Sequence, residues 1–245
     1  MKVAIVGGGR SGTAIHRAMA ARRHEAFMFS RSTGFDVLRD DAVARLAGFD
    51  VIVEATSLFT LSSKAAISFF TRSTHAIGAA ASKSGARHIV LSIVNCEKPE
   101  LQGYGYFAGK AAQEELARTE NPEVTIIRST QWFEFARQNL DRFTIGPFAL
   151  VPGMKIQPVA LDAVATVIAE AASGERVGTS YEVAGPDVTT LWAMTEKVRK
   201  RSFLQIPLPM PGSAWRSFRH GGLLPSPHVE QIGPSFSEWL ASTDR

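Results

Sequence analysis

The apolar positions of the chain fall into short blocks. Val3-Ala4-Ile5-Val6, Ala26-Phe27-Met28-Phe29, Val51-Ile52-Val53, Ile89-Val90-Leu91 and Val124-Thr125-Ile126-Ile127 are nearly continuous apolar runs, each bounded by turn formers or charges. Runs of that length without polar alternation are what buried parallel strands present. Between them lie longer stretches of helical character, at about 11–23, 40–47, 64–85 and 107–120. Strands alternating with helices predict the α/β class and a doubly wound parallel sheet.

The second half reads differently. Short strands and turns are expected at 149–153 and 156–160, a helix at 162–172 and a strand at 181–184 that stops at Gly185-Pro186. Prolines gather between Pro207 and Pro234. This part is expected to be loop-rich, with short helices at 213–219 and 236–240. The pattern predicts a Rossmann-type core over about 1–150 and a small C-terminal substrate lobe over about 151–245, within one domain. There is no internal repeat.

The first strand ends in Gly7-Gly8-Gly9-Arg10-Ser11-Gly12, and a helix pattern follows. Gly7, Gly9 and Gly12 have G-x-G-x-x-G spacing. In a strand–turn–helix context the first glycine permits the turn, the second lets the backbone approach a pyrophosphate, and the third lets helix and strand pack closely. Arg10 and Ser11 open the helix whose N-terminus would meet the phosphates.

Which dinucleotide binds is read from the second strand. An acidic residue is expected at its end for NAD, but here the strand is followed by Ser30-Arg31-Ser32. A guanidinium between two hydroxyls suits a 2′-phosphate, so NADP(H) is expected over NAD(H). Ala55 and Thr56 follow the third strand, where ligands of open parallel sheets bind. Thr56 would equally serve as a helix cap. Asp36 is expected near the adenine.

Tyr106 and Lys110 stand four apart at the start of a predicted helix, so they share a face. A lysine ammonium beside a phenol lowers its pKa and makes a general acid/base for carbonyl or alcohol chemistry. Trp132, Phe133 and Phe135 follow the fifth strand. They are expected either to wall a substrate pocket or to pack as plain core.

Composition narrows the partners. The 245 residues are 45% hydrophobic and 20% charged, ordinary for a globular chain. The net charge is +4, but the basic residues are dispersed apart from Lys197-Val198-Arg199-Lys200-Arg201, a run expected to close a helix. Nucleic-acid binding is therefore disfavoured. Cys96 is the one cysteine and the six histidines are scattered. A disulfide framework and a metal site are not expected, and a cytoplasmic setting is. Met1-Lys2-Val3 runs directly into a strand, so no signal peptide is expected. No apolar run approaches the roughly 18 residues of a membrane span. A small-molecule substrate is the expected partner, and a homodimer stays open.

Taken together, the glycine turn, Ser30-Arg31, Leu91-Ser92-Ile93-Val94, Tyr106…Lys110, the 156–165 stretch, Tyr181-Glu182-Val183-Ala184-Gly185-Pro186 and Ser235-Phe236-Ser237-Glu238-Trp239-Leu240 resemble the atypical short-chain dehydrogenase/reductases, in particular the NmrA-like NAD(P)H-binding group. The resemblance spans nearly the whole chain. It implies a Rossmann domain that binds NADP(H), with Ser92 polarising the substrate oxygen, Tyr106 donating a proton, and Lys110 tuning the tyrosine and holding the nicotinamide ribose. The activity implied is hydride transfer to a carbonyl or quinone. The group also contains proteins that keep the cofactor and have lost catalysis, so a redox sensor is the alternative. A nucleotide-sugar epimerase would share the fold but is expected to carry a larger C-terminal domain.

Overall fold

A computed structural model describes residues 1–198, 203–209 and 211–243. Seven strands form the large sheet: β1 (Lys2–Val6), β2 (Glu25–Phe29), β3 (Val51–Glu54), β4 (Arg87–Ile93), β5 (Thr125–Ser129), β9 (Ser180–Ala184) and β12 (Glu230–Gln231). Their order is β12-β9-β5-β4-β3-β1-β2, and every pairing is parallel. The order reverses between β1 and β3. The crevice at the carboxyl ends of those two strands is where such sheets bind ligands.

The strands are apolar throughout because both faces are covered. Val3 and Ile5 pack with Val51, Val53, Ile89 and Leu91 against α1 (Arg10–Ala21) and α6 (Leu161–Ser173). Their neighbours Ala4 and Val6 point the other way, toward α2 (Ala42–Arg45) and α3 (Ser63–Ser84). On that second face, α4 (Gly105–Glu120) adds Ala117 against Val90 and Ile126. The α3 boundaries follow from local chemistry. Ser62 Oγ accepts from Ala65 N–H at the start, and Gly85 takes φ +66° at the end.

The remaining elements are α5 (Phe135–Phe143), β6 (Thr144–Ile145), β7 (Phe148–Pro152), β8 (Lys155–Ile156), β10 (Thr189–Thr190), α7 (Leu191–Val198), β11 (Leu204–Leu208), α8 (Ser213–Arg219) and α9 (Phe236–Thr243). They make a three-stranded sheet, β11-β7-β6, and a two-stranded one, β10-β8. A second core gathers Phe107, Phe133, Met194, Phe218 and Phe236 beneath them. The chain crosses between the two regions, since α6 and β9 return to the large sheet. Of the basic run at 197–201, Arg199, Lys200 and Arg201 lie outside the described residues. No helix among the described residues is long and apolar enough to cross a membrane.

Candidate functional site

One cleft of about 1280 Å³ opens at the carboxyl ends of the parallel strands. It runs from the glycine turn and the end of β2, past β3 and β4, to an aromatic wall beneath the second core. Its volume exceeds the roughly 300–1,000 Å³ typical of a site for one drug-sized ligand.

The glycine turn divides its labour. Gly7 has φ +133°, and a Cβ there would lie 2.4 Å from Ala55 O. A Cβ on Gly8 would meet Ser30 Oγ at 2.6 Å. Gly9 has open space in front of it, with nothing within 4 Å of a built Cβ. As the N-cap of α1 it makes no side-chain cap. The first intrahelical bond runs from Thr13 N–H to Gly9 O at 3.0 Å. The amides of Arg10, Ser11 and Gly12 therefore have no acceptor within the helix. Gly7, Gly9, Arg10 and Ser11 line the cleft, while Gly12 lies beneath it.

Across from this turn, Ser30 caps a short 3₁₀ turn, Arg31–Thr33. Ser30 N–H donates to Thr33 Oγ1 at 2.8 Å, and the Ser30 and Ser32 hydroxyls lie 2.9 Å apart. Arg31 is exposed on the cleft rim and forms no ion pair among the described residues. Asp36 also lines the cleft, but its carboxylate is engaged locally. It accepts from Leu38 N–H at 3.0 Å and faces Arg39 Nε at 3.7 Å.

Ala55 and Thr56 are buried in the cleft wall, and Thr56 Oγ1 donates to Glu54 Oε1 at 3.2 Å. Ser92, next to last in β4, is 4% exposed and follows Leu91, whose carbonyl accepts from Lys110 Nζ at 2.8 Å. Lys110 Nζ also donates to Gln113 Oε1 at 2.8 Å and sits 4.6 Å from the Phe70 ring centroid. Two of the three ammonium N–H groups are thus committed. Burial pushes Lys110 down to about 8, opposed by the charge of Glu54.

Tyr106 and Lys110 share a face of α4 and both line the cleft. The expected lowering of the phenol pKa is not what the structure contains. Burial pushes Tyr106 up to about 12, with Ser57 working against it. The reason is the reach of the lysine, whose ammonium is drawn to Leu91 O and Gln113 rather than to the phenol. The tyrosine ring instead packs edge-on against Phe70, with centroids 6.0 Å apart.

Among the aromatics, Trp132 and Phe135 line the cleft and Phe133 does not. Phe133 is 1% exposed and packs on Phe236 and Trp239 at centroid distances of 5.2 and 5.4 Å. Plain core packing is its role. Trp132 is fixed by its indole N–H on Ser129 Oγ at 3.0 Å.

Sequence reasoning missed several cleft residues. Thr130 Oγ1 and Gln131 Oε1, just past β5, are buried polar atoms without partners. Tyr104 and Phe218 complete the aromatic wall, and Met154 lines the same cleft. Behind the cleft, Glu54 and Gln113 are wholly buried. Glu54 carried a signal, a charge ending an otherwise apolar strand. The others carried none, because chain segments far apart bring them together.

Comparison with solved structures finds this architecture in several NAD(P)-linked proteins. A dTDP-4-dehydrorhamnose reductase from Clostridium acetobutylicum superposes with a TM-score of 0.76 at 14% identity, covering 99% of this chain and 98% of that one. The NADPH-dependent quinone oxidoreductase of Escherichia coli, solved with NADPH, gives 0.68 at 14% identity, covering 99% and 100%. The chain shares the Rossmann-type α/β fold of these proteins. A UDP-N-acetylglucosamine 4-epimerase from Bacillus cereus gives 0.67 at 14% identity, covering 97% and 96%. No family model and no curated protein matches the sequence.

Proposed function

We propose that the chain is an NADP(H)-dependent oxidoreductase of the NmrA-like group, transferring hydride to a small carbonyl or quinone. One observation carries the reading. A single cleft joins an uncapped helix N-terminus and the Ser30-Arg31-Ser32 turn at one end to Tyr106, Lys110 and Ser92 at the other. The fit to a dinucleotide is supported by the open space at Gly9 and the unpartnered Thr130 and Gln131 atoms.

In this reading the amides of Arg10, Ser11 and Gly12 bind the pyrophosphate, helped by the positive end of α1. Arg31, flanked by Ser30 and Ser32, binds the 2′-phosphate. Ala55 and Thr56 lie against the backbone of the dinucleotide, and Asp36 lies beside the adenine. The nicotinamide, when bound, supplies the hydride. Tyr106 is protonated at neutral pH and donates its hydroxyl proton to the substrate oxygen. Ser92 Oγ–H donates a hydrogen bond to the same oxygen, and Lys110 holds the ribose with its remaining N–H. Trp132 and Phe135 exclude water from a planar or apolar substrate.

A second reading, a redox sensor that binds NADP(H) without turnover, is favoured by the hydrogen bonds that commit the Lys110 ammonium to Leu91 O and Gln113 Oε1. Tryptophan quenching with NADPH and with NADH, followed by a panel of quinones and aldehydes under reduced-nicotinamide absorbance, tests both. Tighter NADPH binding with substrate-dependent oxidation supports the reductase. Binding with no turnover across the panel supports the sensor, and no binding of either nucleotide overturns both.

A further inference from the structure

Lys110 is a buried cation whose counter-charge stands outside the cleft. Its Nζ donates to Gln113 Oε1 at 2.8 Å, and Gln113 Nε2 donates in turn to Glu54 Oε1 at 2.7 Å. One amide therefore accepts from a cation and donates to an anion, which fixes its orientation. Glu54, Lys110 and Gln113 are 0%, 2% and 0% exposed. Glu54 also takes hydrogen bonds from Thr74 at 2.9 Å, Ser73 at 3.1 Å and Thr56 at 3.2 Å, and lies 3.2 Å from His88 Nε2. A carboxylate surrounded by that many donors stays ionised. It does not line the cleft.

We propose that Glu54 is a positioning residue for Lys110, acting through Gln113 to hold the ammonium charged and in one orientation at the cleft floor. The functional meaning rests on the reading of Lys110 as a cofactor-binding residue. The coupling itself is a property of the chain alone.

The other groups facing Lys110 supply less of the counter-charge than Glu54 does. Cys96, in the β4–α4 connection, is a thiol that burial pushes well up, so it stays neutral. Glu114, on α4, is committed to Arg128 Nε at 2.9 Å and to Arg118 at 3.0 Å. Tyr106, one turn back on α4, stays protonated. His88, on β4, faces Glu54 rather than the lysine. α3 presents a phenyl ring. Removal of the Glu54 charge leaves the burial of Lys110 opposed chiefly by Glu114, whose charge is shared with Arg128 and Arg118.

The test is a pH titration of the Lys110 side chain by carbon-13 NMR at Cε in the ligand-free chain. Wild type is compared with Glu54→Gln, Glu54→Asp and Gln113→Leu, each checked for folding by circular dichroism. The midpoint is expected to fall by about one unit or more in Glu54→Gln and to return toward wild type in Glu54→Asp. Gln113→Leu, which keeps both charges and breaks the bridge, is expected to lower the midpoint and to weaken NADPH binding about tenfold. It decides the matter if Glu54→Gln does not fold. An unchanged midpoint in the folded variants overturns the proposal. A wild-type chain that binds no NADPH overturns the cofactor reading instead, and the titration still decides the coupling.

Discussion

Gly12 lies against Gly7 so closely that a Cβ on Gly12 would sit 1.8 Å from the Gly7 carbonyl oxygen. Helix α1 can leave β1 at this angle only because Gly12 lacks a side chain, while Gly7 lacks one to clear the Ala55 carbonyl. Gly12→Ala is expected to force the turn open and to destabilise the fold by about 1–3 kcal/mol, the usual range for overpacking. Gly9→Ala is expected to do the opposite. Gly9 has open space and an extended backbone, so urea unfolding should change little, while the methyl group occupies the space proposed for the pyrophosphate. Urea midpoints and NADPH quenching, measured on both variants, separate a structural glycine from a binding one.

The Arg31 side chain makes no hydrogen bond or ion pair among the described residues, so its removal is expected to leave the fold intact. Arg31→Ala is expected to weaken NADPH binding about tenfold, or roughly 1.4 kcal/mol, and to leave NADH binding unchanged. Equal losses for the two nucleotides would remove Arg31 from the phosphate site. Paired fluorescence titrations decide it.

Lys110 gives two pH effects of opposite sense. Its folded pKa of about 8 lies below the ordinary lysine value. Between the two, the unfolded chain keeps a proton that the folded chain has released, so stability rises with pH across that window. The gain from this one group is roughly 3 kcal/mol when complete. Lys110→Met is expected to lack that rise in denaturant unfolding followed against pH. Cofactor binding runs the other way. The ammonium is present below about 8 and lost above it, so NADPH affinity should weaken as pH passes upward through that value.

Tyr106→Phe is expected to leave NADPH binding intact and to lower turnover about 10²–10⁴-fold, the usual worth of a positioned proton donor. Since burial holds the phenol up near 12, the tyrosine itself adds no pH dependence near neutrality. Unchanged turnover would move the proton donor elsewhere.

Phe133 and Phe135 separate core from pocket. Phe133→Ala is expected to destabilise by about 3–5 kcal/mol through the cavity it leaves against Phe236 and Trp239. Phe135→Ala is expected to raise the substrate KM with a smaller effect on the unfolding midpoint. Thermal unfolding and steady-state kinetics on the pair test the assignment.

Much of this was legible in the chain. The strands of the first half stood out because both faces of a parallel sheet are buried, so each strand is an apolar run. The glycine turn was legible because its spacing is a steric requirement. Helix α5 was not, since its start at Phe135 sits inside an aromatic cluster that reads as a pocket wall. Strand β11 was obscured by Pro207, which is tolerated because β11 is an edge strand of the small sheet. The spacing of Tyr106 and Lys110 fixed a shared helix face but not the direction of the ammonium. That depends on the Leu91 carbonyl, 19 residues away. Likewise Phe133 could be told from its neighbours only by Phe236 and Trp239, from the far end of the chain.

The order of the large sheet has a last consequence. β2, which leads into Arg31, is the outermost strand, while β4, which carries Leu91 and Ser92, is the central one. The cleft is therefore a rim at one end and a floor at the other. At the rim, a phosphate bound as proposed by Arg31 would be open to mobile ions, which screen charges over about 8 Å at physiological ionic strength. At the floor, Lys110 is sealed from them. Recognition of the nucleotide would follow the saltiness of the surroundings, and the chemistry at the other end of the same molecule would not notice it.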